Sequence, residues 1–275
     1  MSRQPIELVP LEFIKPLPMH FSVIGHEENL MLRADMTRIE SKGLYNIDPI
    51  LLRIMTPQEI EECKAQYPLV HYEIVDGHQR FEAAGELGWR QIRAIVISCS
   101  REEAYAINYK KNRARGKIDP MREAVYFRHL NEDLQLTQDK IAEMIGIDQS
   151  SVSRILKRIK VSKEARREIM RHAYPIVRNQ ITGTHLEVIA SIPEPEKQVQ
   201  LVDSIMEGKL SAKQAEQAKK AIEKGLPKEE VIKAAKAPTP PVGEIEIGEV
   251  KCSECGLQLK IIHIDDGKHK LKKAG

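Results

Sequence analysis

Thr137-Gln-Asp-Lys-Ile-Ala-Glu-Met-Ile-Gly-Ile-Asp-Gln-Ser-Ser-Val-Ser-Arg-Ile-Leu156 is the most informative run of the chain. Two short helices crossing at a steep angle need a small residue where they touch, a turn residue able to take positive φ, and apolar residues on the inner side of the second helix. Ala142, Gly146 and the set Ile147, Val152 and Ile155 stand at those places. Asp148 is a natural N-cap for the second helix, which leaves Gln149, Ser150, Ser153, Arg154 and Lys157 facing outward. Small polar residues followed by Arg and Lys suit a helix lying in the major groove of double-stranded DNA. Any pair of amphipathic helices joined by a glycine could carry the same pattern. The surroundings favour the DNA reading, because Ser151 to Arg178 holds nine Lys or Arg against two Glu, a basic face for phosphates.

Working outward, residues 119–220 read as a helical domain. It is rich in Ala, Glu, Lys, Leu and Ile with apolar residues three and four apart, and it opens at Asp119-Pro120, where Asp caps and Pro fits the first turn. Residues 1–118 mix β-rich runs, Pro49 to Ile54 and Ile92 to Ile97, with helical spacing over Phe81 to Leu87 and Arg101 to Lys110, an α/β pattern. Residues 221–243 read as a helical tail ending in Lys236-Ala-Pro-Thr-Pro-Pro-Val-Gly243, whose prolines stiffen an extended linker. Residues 244–275 alternate apolar and polar around Asp265-Asp266-Gly267, a hairpin signal. The expected fold class is α+β: an α/β domain, an all-helical centre and a small C-terminal β module.

Composition sets wider bounds. A chain of 275 residues with 41% hydrophobic residues has room for two or three cores. It holds no run of about 18 apolar residues, and its start lacks an export signal's layout, so a cytoplasmic protein off the membrane is expected. The net charge of +3 makes no global case for nucleic acid. Cys63 and Cys99 read as ordinary thiols. Cys252-Ser-Glu-Cys255, by contrast, has the spacing that brings two sulfurs to one metal. His263 and His269 flank the hairpin turn and complete a tetrahedral set, predicting a structural zinc site of Cys252, Cys255, His263 and His269. A redox dithiol, or a site shared by the cysteine pairs of two chains, stays open.

From about residue 6 to residue 218 the motifs resemble the ParB family. Ile6-Glu-Leu-Val-Pro-Leu-Glu-Phe-Ile-Lys-Pro16 is similar to its first strand and turn, and Asp48-Pro-Ile-Leu-Leu-Arg53 to a later strand. Val75-Asp-Gly-His-Gln-Arg-Phe-Glu-Ala-Ala84 stands where that family has a Gly-x-Arg-Arg box, and Lys111-Asn-Arg-Ala-Arg115 where it has Glu-Asn-x-x-Arg. Ile181-Thr-Gly-Thr-His185 and Gly208 to Glu216 are similar to the close of its helical domain. The resemblance implies a DNA-binding protein of plasmid or chromosome partition or of transcriptional control, nucleoid-associated, homodimeric, and partnered by a ParA-like ATPase. It also implies an N-terminal domain that binds a nucleoside triphosphate such as CTP, here through Gly77, His78, Arg80, Asn112 and Arg115. The residues agree in outline: Gly77 admits backbone close to a phosphate, the following helix N-terminus favours an anion, and Arg80 can pair with phosphate oxygens. The alternative is a plain strand-to-helix turn with His78 and Arg80 solvated.

Two departures stand out. Gly77-His-Gln-Arg80 keeps one arginine of the family's pair, and Lys111 replaces the Glu expected to help hold magnesium, which makes hydrolysis slow or absent. The Asp-Gly-His-Gln-Arg turn also resembles sulfiredoxin, excluded because position 78 is not cysteine, and a free-serine kinase. A kinase or nuclease targeted by the DNA-binding part is the enzyme alternative, with Glu12, Asp76 or Glu82 as base.

Overall fold

The computed structural model describes residues 5–20, 26–41, 48–116, 119–172, 181–237, 245–251, 258–264 and 268–273. Side chains are described for all of these except 26–29, 39–41, 172 and the three C-terminal strands. The N-terminal strands are β1 (Ile6–Pro10), β2 (Ile14–Lys15), β3 (Ile50–Ile54), β4 (Tyr72–Asp76) and β5 (Gln91–Ile97), and they form one mixed sheet in the order β1-β5-β3-β4-β2. Strand alternation decides its two faces. Val9, Ile50, Leu52, Ile74, Ile92 and Ala94 bury one face against Met36 of α1 (His26–Ser41) and Ala83 and Ala84 of α3 (His78–Glu86).

On the opposite face Glu73 and Arg53 are buried as charges. Arg53 Nε reaches Glu73 Oε2 at 2.8 Å, Lys15 Nζ reaches Glu73 Oε1 at 2.5 Å, and Arg53 also forks onto Glu59 of α2 (Pro57–Cys63) at 2.7 and 3.0 Å. Buried ions persist when each is paired and hydrogen-bonded, as these are. Thr56 and Ser100 close capping boxes on α2 and α4 (Arg101–Arg115), fixing where both helices start.

The chain then turns at Asp119, whose carboxylate accepts from Met121 N and Arg122 N at 2.8 and 3.1 Å to cap α5 (Pro120–Arg128). Here the core crosses the expected boundary at residue 118. Leu17, Tyr105, Ala106 and Tyr109 pack in one cluster with Ala124, Tyr126, Phe127, Ile141, Ile145, Val152 and Ile155. The last four of these belong to α6 (Gln138–Ile145) and α7 (Gln149–Lys157), so the helix pair read first from sequence leans on a helix of the α/β part.

Beyond α7 come α8 (Lys163–His172), α9 (Gly183–Ala190), α10 (Pro195–Gly208), α11 (Ala212–Glu223) and α12 (Lys228–Lys236). Val231 and Ala235 of α12 sit in the same core cluster as Leu186, Leu201, Ile205 and Ala218. The segment read as a tail from residue 221 is thus helical core up to α12, because its Val and Ala recur at helical spacing on one face. At the C-terminus β6 (Ile245–Lys251), β7 (Gln258–Ile264) and β8 (Lys268–Lys273) pair antiparallel, with the backbones of His263 and His269 directly opposite.

One ion chain binds these parts. Tyr109 Oη donates to Glu123 at 2.6 Å, Arg158 Nη1 donates to the other oxygen of Glu123 at 2.8 Å, and Arg158 Nη2 donates to Glu187 at 2.9 Å. Gly183 lies so close that a Cβ there would come 2.6 Å from Arg158 Nη2. Arg158 is 12% exposed in its side chain, and losing it would strand two half-buried carboxylates. Arg158→Ala should therefore lower urea-unfolding stability by roughly 3 kcal/mol, whereas Arg154→Ala, on the exposed face of α7, should change it by no more than about 0.5 kcal/mol. Equal effects of the two substitutions would contradict the assignment.

Candidate functional site

Two sites emerge. The first lies at the carboxyl end of β4, where the chain leaves Asp76, turns through Gly77 at φ 98° and starts α3 at His78. A side chain at Gly77 would strain the backbone and bring a Cβ within 2.6 Å of Ile50 Cγ2, so glycine is required on both counts. The N-terminal amides of α3 thereby open onto a pocket lined by His20, Asp48, Asp76, Gly77, His78, Arg80, Asn108, Asn112 and Arg115 among others. All five residues expected to hold a nucleotide, Gly77, His78, Arg80, Asn112 and Arg115, are brought together here. His20, Asp76 and Asn108 join them.

The side chains behave differently from a solvated turn. His78 is 4% exposed, stacks on His20 with ring centroids 4.0 Å apart, and leaves its Nε2 without a protein partner. Burial, with the charge of His20 adding to it, pushes the His78 imidazole down to about 3, so the ring is neutral and can either donate to or accept from a ligand. A buried polar atom left without a bond costs about 1–3 kcal/mol, which a bound polar group would recover.

Arg80 is not aimed as a free fork. Its Nη1 donates to the carbonyls of Asp48 and Pro49 and its Nη2 lies 3.7 Å from Asp76, which leaves it bracing the turn. Asn112 donates to the Asn108 carbonyl at 2.8 Å, and Asn108 to Val75 O at 2.9 Å, tying α4 to β4.

Asp76 is the electrostatic centre. Arg115 clasps both of its oxygens at 2.7 and 2.6 Å, and Lys111 Nζ lies 3.3 Å from Oδ2. Burial alone would raise this carboxyl, but the Arg115 hydrogen bonds and the charges of Lys111, Arg115 and Arg80 hold it down to about 2. Magnesium, implied by the family resemblance, does not fit this donor set. It needs oxygen ligands free of cations, and in the buried carboxylate Oδ1 is held by Arg115 while Oδ2 faces Arg115, Lys111 and Arg80. Glu12 and Glu82 are exposed and do not line the pocket.

The second site is the helix pair. Thr137 caps α6, accepting from Lys140 N at 3.2 Å, and Gly146 ends it at φ 81° with its N–H on Ala142 O at 2.8 Å. Asp148 occupies the N-cap position of α7, although its side chain makes no capping bond. Gln149, Ser150, Arg154 and Lys157 are exposed and Ser153 half-buried, while Val152 and Ile155 face inward. Gln149 donates to Gln138 at 2.9 Å and Arg154 to Ser151 at 3.1 Å.

The basic run is less uniform than its letters imply. Arg158 is the internal strut described above, and Arg166 turns back onto the carbonyls of Val161 and Ile159 at 2.9 and 2.6 Å. Arg154, Lys157, Lys160, Lys163, Arg167 and Arg171 remain exposed. Cys252 and Cys255 lie outside the described residues. His263 and His269 are placed only by the backbone register of β7 and β8.

The sign of the pH dependence follows from Asp76. Because its folded pKa is depressed, its stabilising contribution is present above the ordinary value of 3.8 and is lost as pH falls through about 2. The stability gap between the wild type and Asp76→Asn should therefore be widest near neutrality and narrow between pH 4 and 2. Denaturant melts of both proteins across that range measure it, and a pH-independent gap would refute the assigned ion pairs.

Comparison with known proteins completes the picture. The ParB N-terminal domain model matches residues 36–113 and the ParB HTH domain model residues 117–224. The chain is 28% identical to a nucleoid occlusion protein of Geobacillus thermodenitrificans over 215 residues, 78% of this chain and 68% of that one. It is 29% identical to one of Bacillus cytotoxicus over 198 residues, 72% of this chain and 61% of the relative. Among solved structures, it is similar to C-terminally truncated ParB of Caulobacter crescentus bound to the parS site, at 23% identity and a TM-score of 0.44, covering 76% of this chain and 96% of that one. With the N-terminal domain and the helix-turn-helix domain both matched in order, the chain belongs to the ParB family.

Proposed function

We propose that this chain binds double-stranded DNA sequence-specifically through α7 and acts in chromosome or plasmid partition or in nucleoid-linked regulation. The observation that carries this reading is the exposed polar and basic face of α7, Gln149, Ser150, Arg154 and Lys157, held on a rigid apolar back inside a ParB helix-turn-helix domain. The nucleoid occlusion relatives and the parS-bound neighbour agree with it in kind. A second copy of the chain and a ParA-like ATPase are the partners this reading supplies, in a cytoplasmic, nucleoid-associated setting. None of the described helices is long and apolar enough to cross a membrane.

The N-terminal pocket is proposed to hold a nucleoside triphosphate, CTP by analogy with a ParB neighbour crystallised with CTP-gamma-S, through Gly77, His78, Arg80, Asn112 and Arg115. Slow or absent hydrolysis is expected. The kinase or nuclease alternative is disfavoured because Asp76, the one buried carboxylate lining the pocket, is clasped by Arg115 and poorly placed to accept a proton.

Arg154→Ala should cost about 1 to 3 kcal/mol at a site recovered by selection from random duplexes, with relaxed specificity if Arg154 reads a base and a uniform loss if it contacts phosphate. Fluorescence anisotropy at moderate salt separates the two. Unchanged duplex binding by the Arg154→Ala/Lys157→Ala double variant would end the proposal.

The C-terminal sheet is proposed to be stapled by zinc through Cys252, Cys255, His263 and His269, supported by the His263–His269 register and the cysteine spacing. Metal analysis of wild type, Cys252→Ser, His263→Ala and His269→Ala checks this. One zinc per chain, lost in every variant, is expected. Half a zinc per chain, lost only with the cysteine, would mean a site shared between protomers, and none in the wild type would remove the metal altogether.

A further inference from the structure

We infer that the N-terminal pocket binds its polyphosphate ligand directly, without a divalent cation, with the Lys111 ammonium supplying the charge that a metal ion would otherwise bring. The inference rests on the nucleotide reading above and deepens it. Three cationic side chains converge on one carboxylate: Arg115 on both oxygens of Asp76 at 2.7 and 2.6 Å, Lys111 at 3.3 Å and Arg80 at 3.7 Å. Asp76 therefore gathers the donors that a phosphate entering the pocket would meet. Arg115 engages both oxygens of that carboxylate, and Lys111 and Arg80 crowd Oδ2 further.

A small divalent cation bridging Asp76 and a phosphate would have to compete with the Arg115 guanidinium for the carboxylate and sit beside the Lys111 ammonium. Repulsion between like charges a few ångströms apart in a partly buried site opposes both steps. Among the described residues that line the pocket the remaining carboxylate is Asp48, which is exposed and whose backbone carbonyl receives Arg80. No cluster of three His, Cys, Asp or Glu side chains able to hold a metal ion occurs among the described residues.

Arg115 and Lys111 serve an anion well. Swinging from Asp76 onto phosphate oxygens, Arg115 keeps a bidentate geometry, and Lys111 acts as a point charge on a flexible stem, 43% exposed and able to follow the ligand. The α3 amides add neutral donors at the Gly77 turn. His78, buried and neutral with Nε2 unpartnered, is the polar contact left for a ligand atom.

The test is calorimetric titration of the full chain with CTP, and in parallel with inorganic triphosphate, in excess EDTA and in magnesium. Wild-type Kd values in the two conditions should agree within about threefold. Lys111→Glu, a change at a half-exposed position, should weaken binding in EDTA by at least about tenfold and recover with magnesium, turning a metal-independent site into a metal-dependent one. Binding by the wild type only with magnesium would overturn the inference and leave the nucleotide reading standing. Binding of neither probe in either condition would overturn both. Binding of inorganic triphosphate alone, without metal, would uphold the direct phosphate contact and refute the assignment of CTP.

Discussion

The packing of α5 on α4 is the constraint on which the other features depend. Three tyrosines, Tyr105, Tyr109 and Tyr126, are buried at that seam, and each hydroxyl must find a partner there. Tyr126 donates to the Tyr105 carbonyl at 2.7 Å, Tyr105 meets His129 Nε2 at 2.9 Å, and Tyr109 donates to Glu123 at 2.6 Å. Aromatic bodies supply the apolar area, and the hydroxyls fix the rotation of one helix against the other. Through Glu123 and Arg158 the constraint reaches the end of α7 and the start of α9. The helix proposed to read DNA is therefore joined, through α5 and α6, to the helix that carries Asn108, Asn112 and Arg115 into the pocket.

That arrangement places α4 beside the pocket and in the core shared with α6 and α7. A ligand that drew Arg115 away from Asp76 would act on the last turn of α4, while Tyr105 and Tyr109 on the same helix share one core cluster with α6 and α7. Coupling requires an element with two arrangements that both sites bias, and α4 is the element that both touch. The ion pairs around Asp76 fix the position of Arg115 at the end of α4. Asp76 is buried while Arg115 and Lys111 are part-exposed, so their donors could exchange onto an incoming anion that offers the same kind of oxygen.

Much of this was legible in the chain. The helix pair at 138–157 could be read because Gly146 needs positive φ and because Val152 and Ile155 repeat at helical spacing; no tertiary knowledge was required. The pocket was legible where its residues are local or where a family motif marks them, as Lys111-Asn-Arg-Ala-Arg115 marked Asn112 and Arg115. Gly77 to Arg80 announce a turn by themselves, whereas His20 and Asn108 arrive from distant segments and carried no local signal. Charge letters misled in one respect. Arg158 and Arg166 look like their basic neighbours in sequence, and only packing reveals that both point inward. The shared core at the α4–α5 seam was hidden for a similar reason: Asp119-Pro120 is a sound helix start, and a helix start does not say whether a domain starts with it. The helix expected after residue 220 is present as α12, and its place in the core was not legible because an Ala-rich helix needs a partner surface to show which side it buries.

The dependence of the DNA-reading helices on α4 can be measured by native-state hydrogen exchange in low denaturant, following peptides from α4, α6 and α7 in the full chain. A single shared core requires the slowest amides of all three helices to exchange through one opening with a common free energy and a common denaturant slope. Exchange of α6 and α7 through a separate, lower-energy opening while α4 stays protected would contradict it, and would make the α/β part and the helix-turn-helix independent bodies.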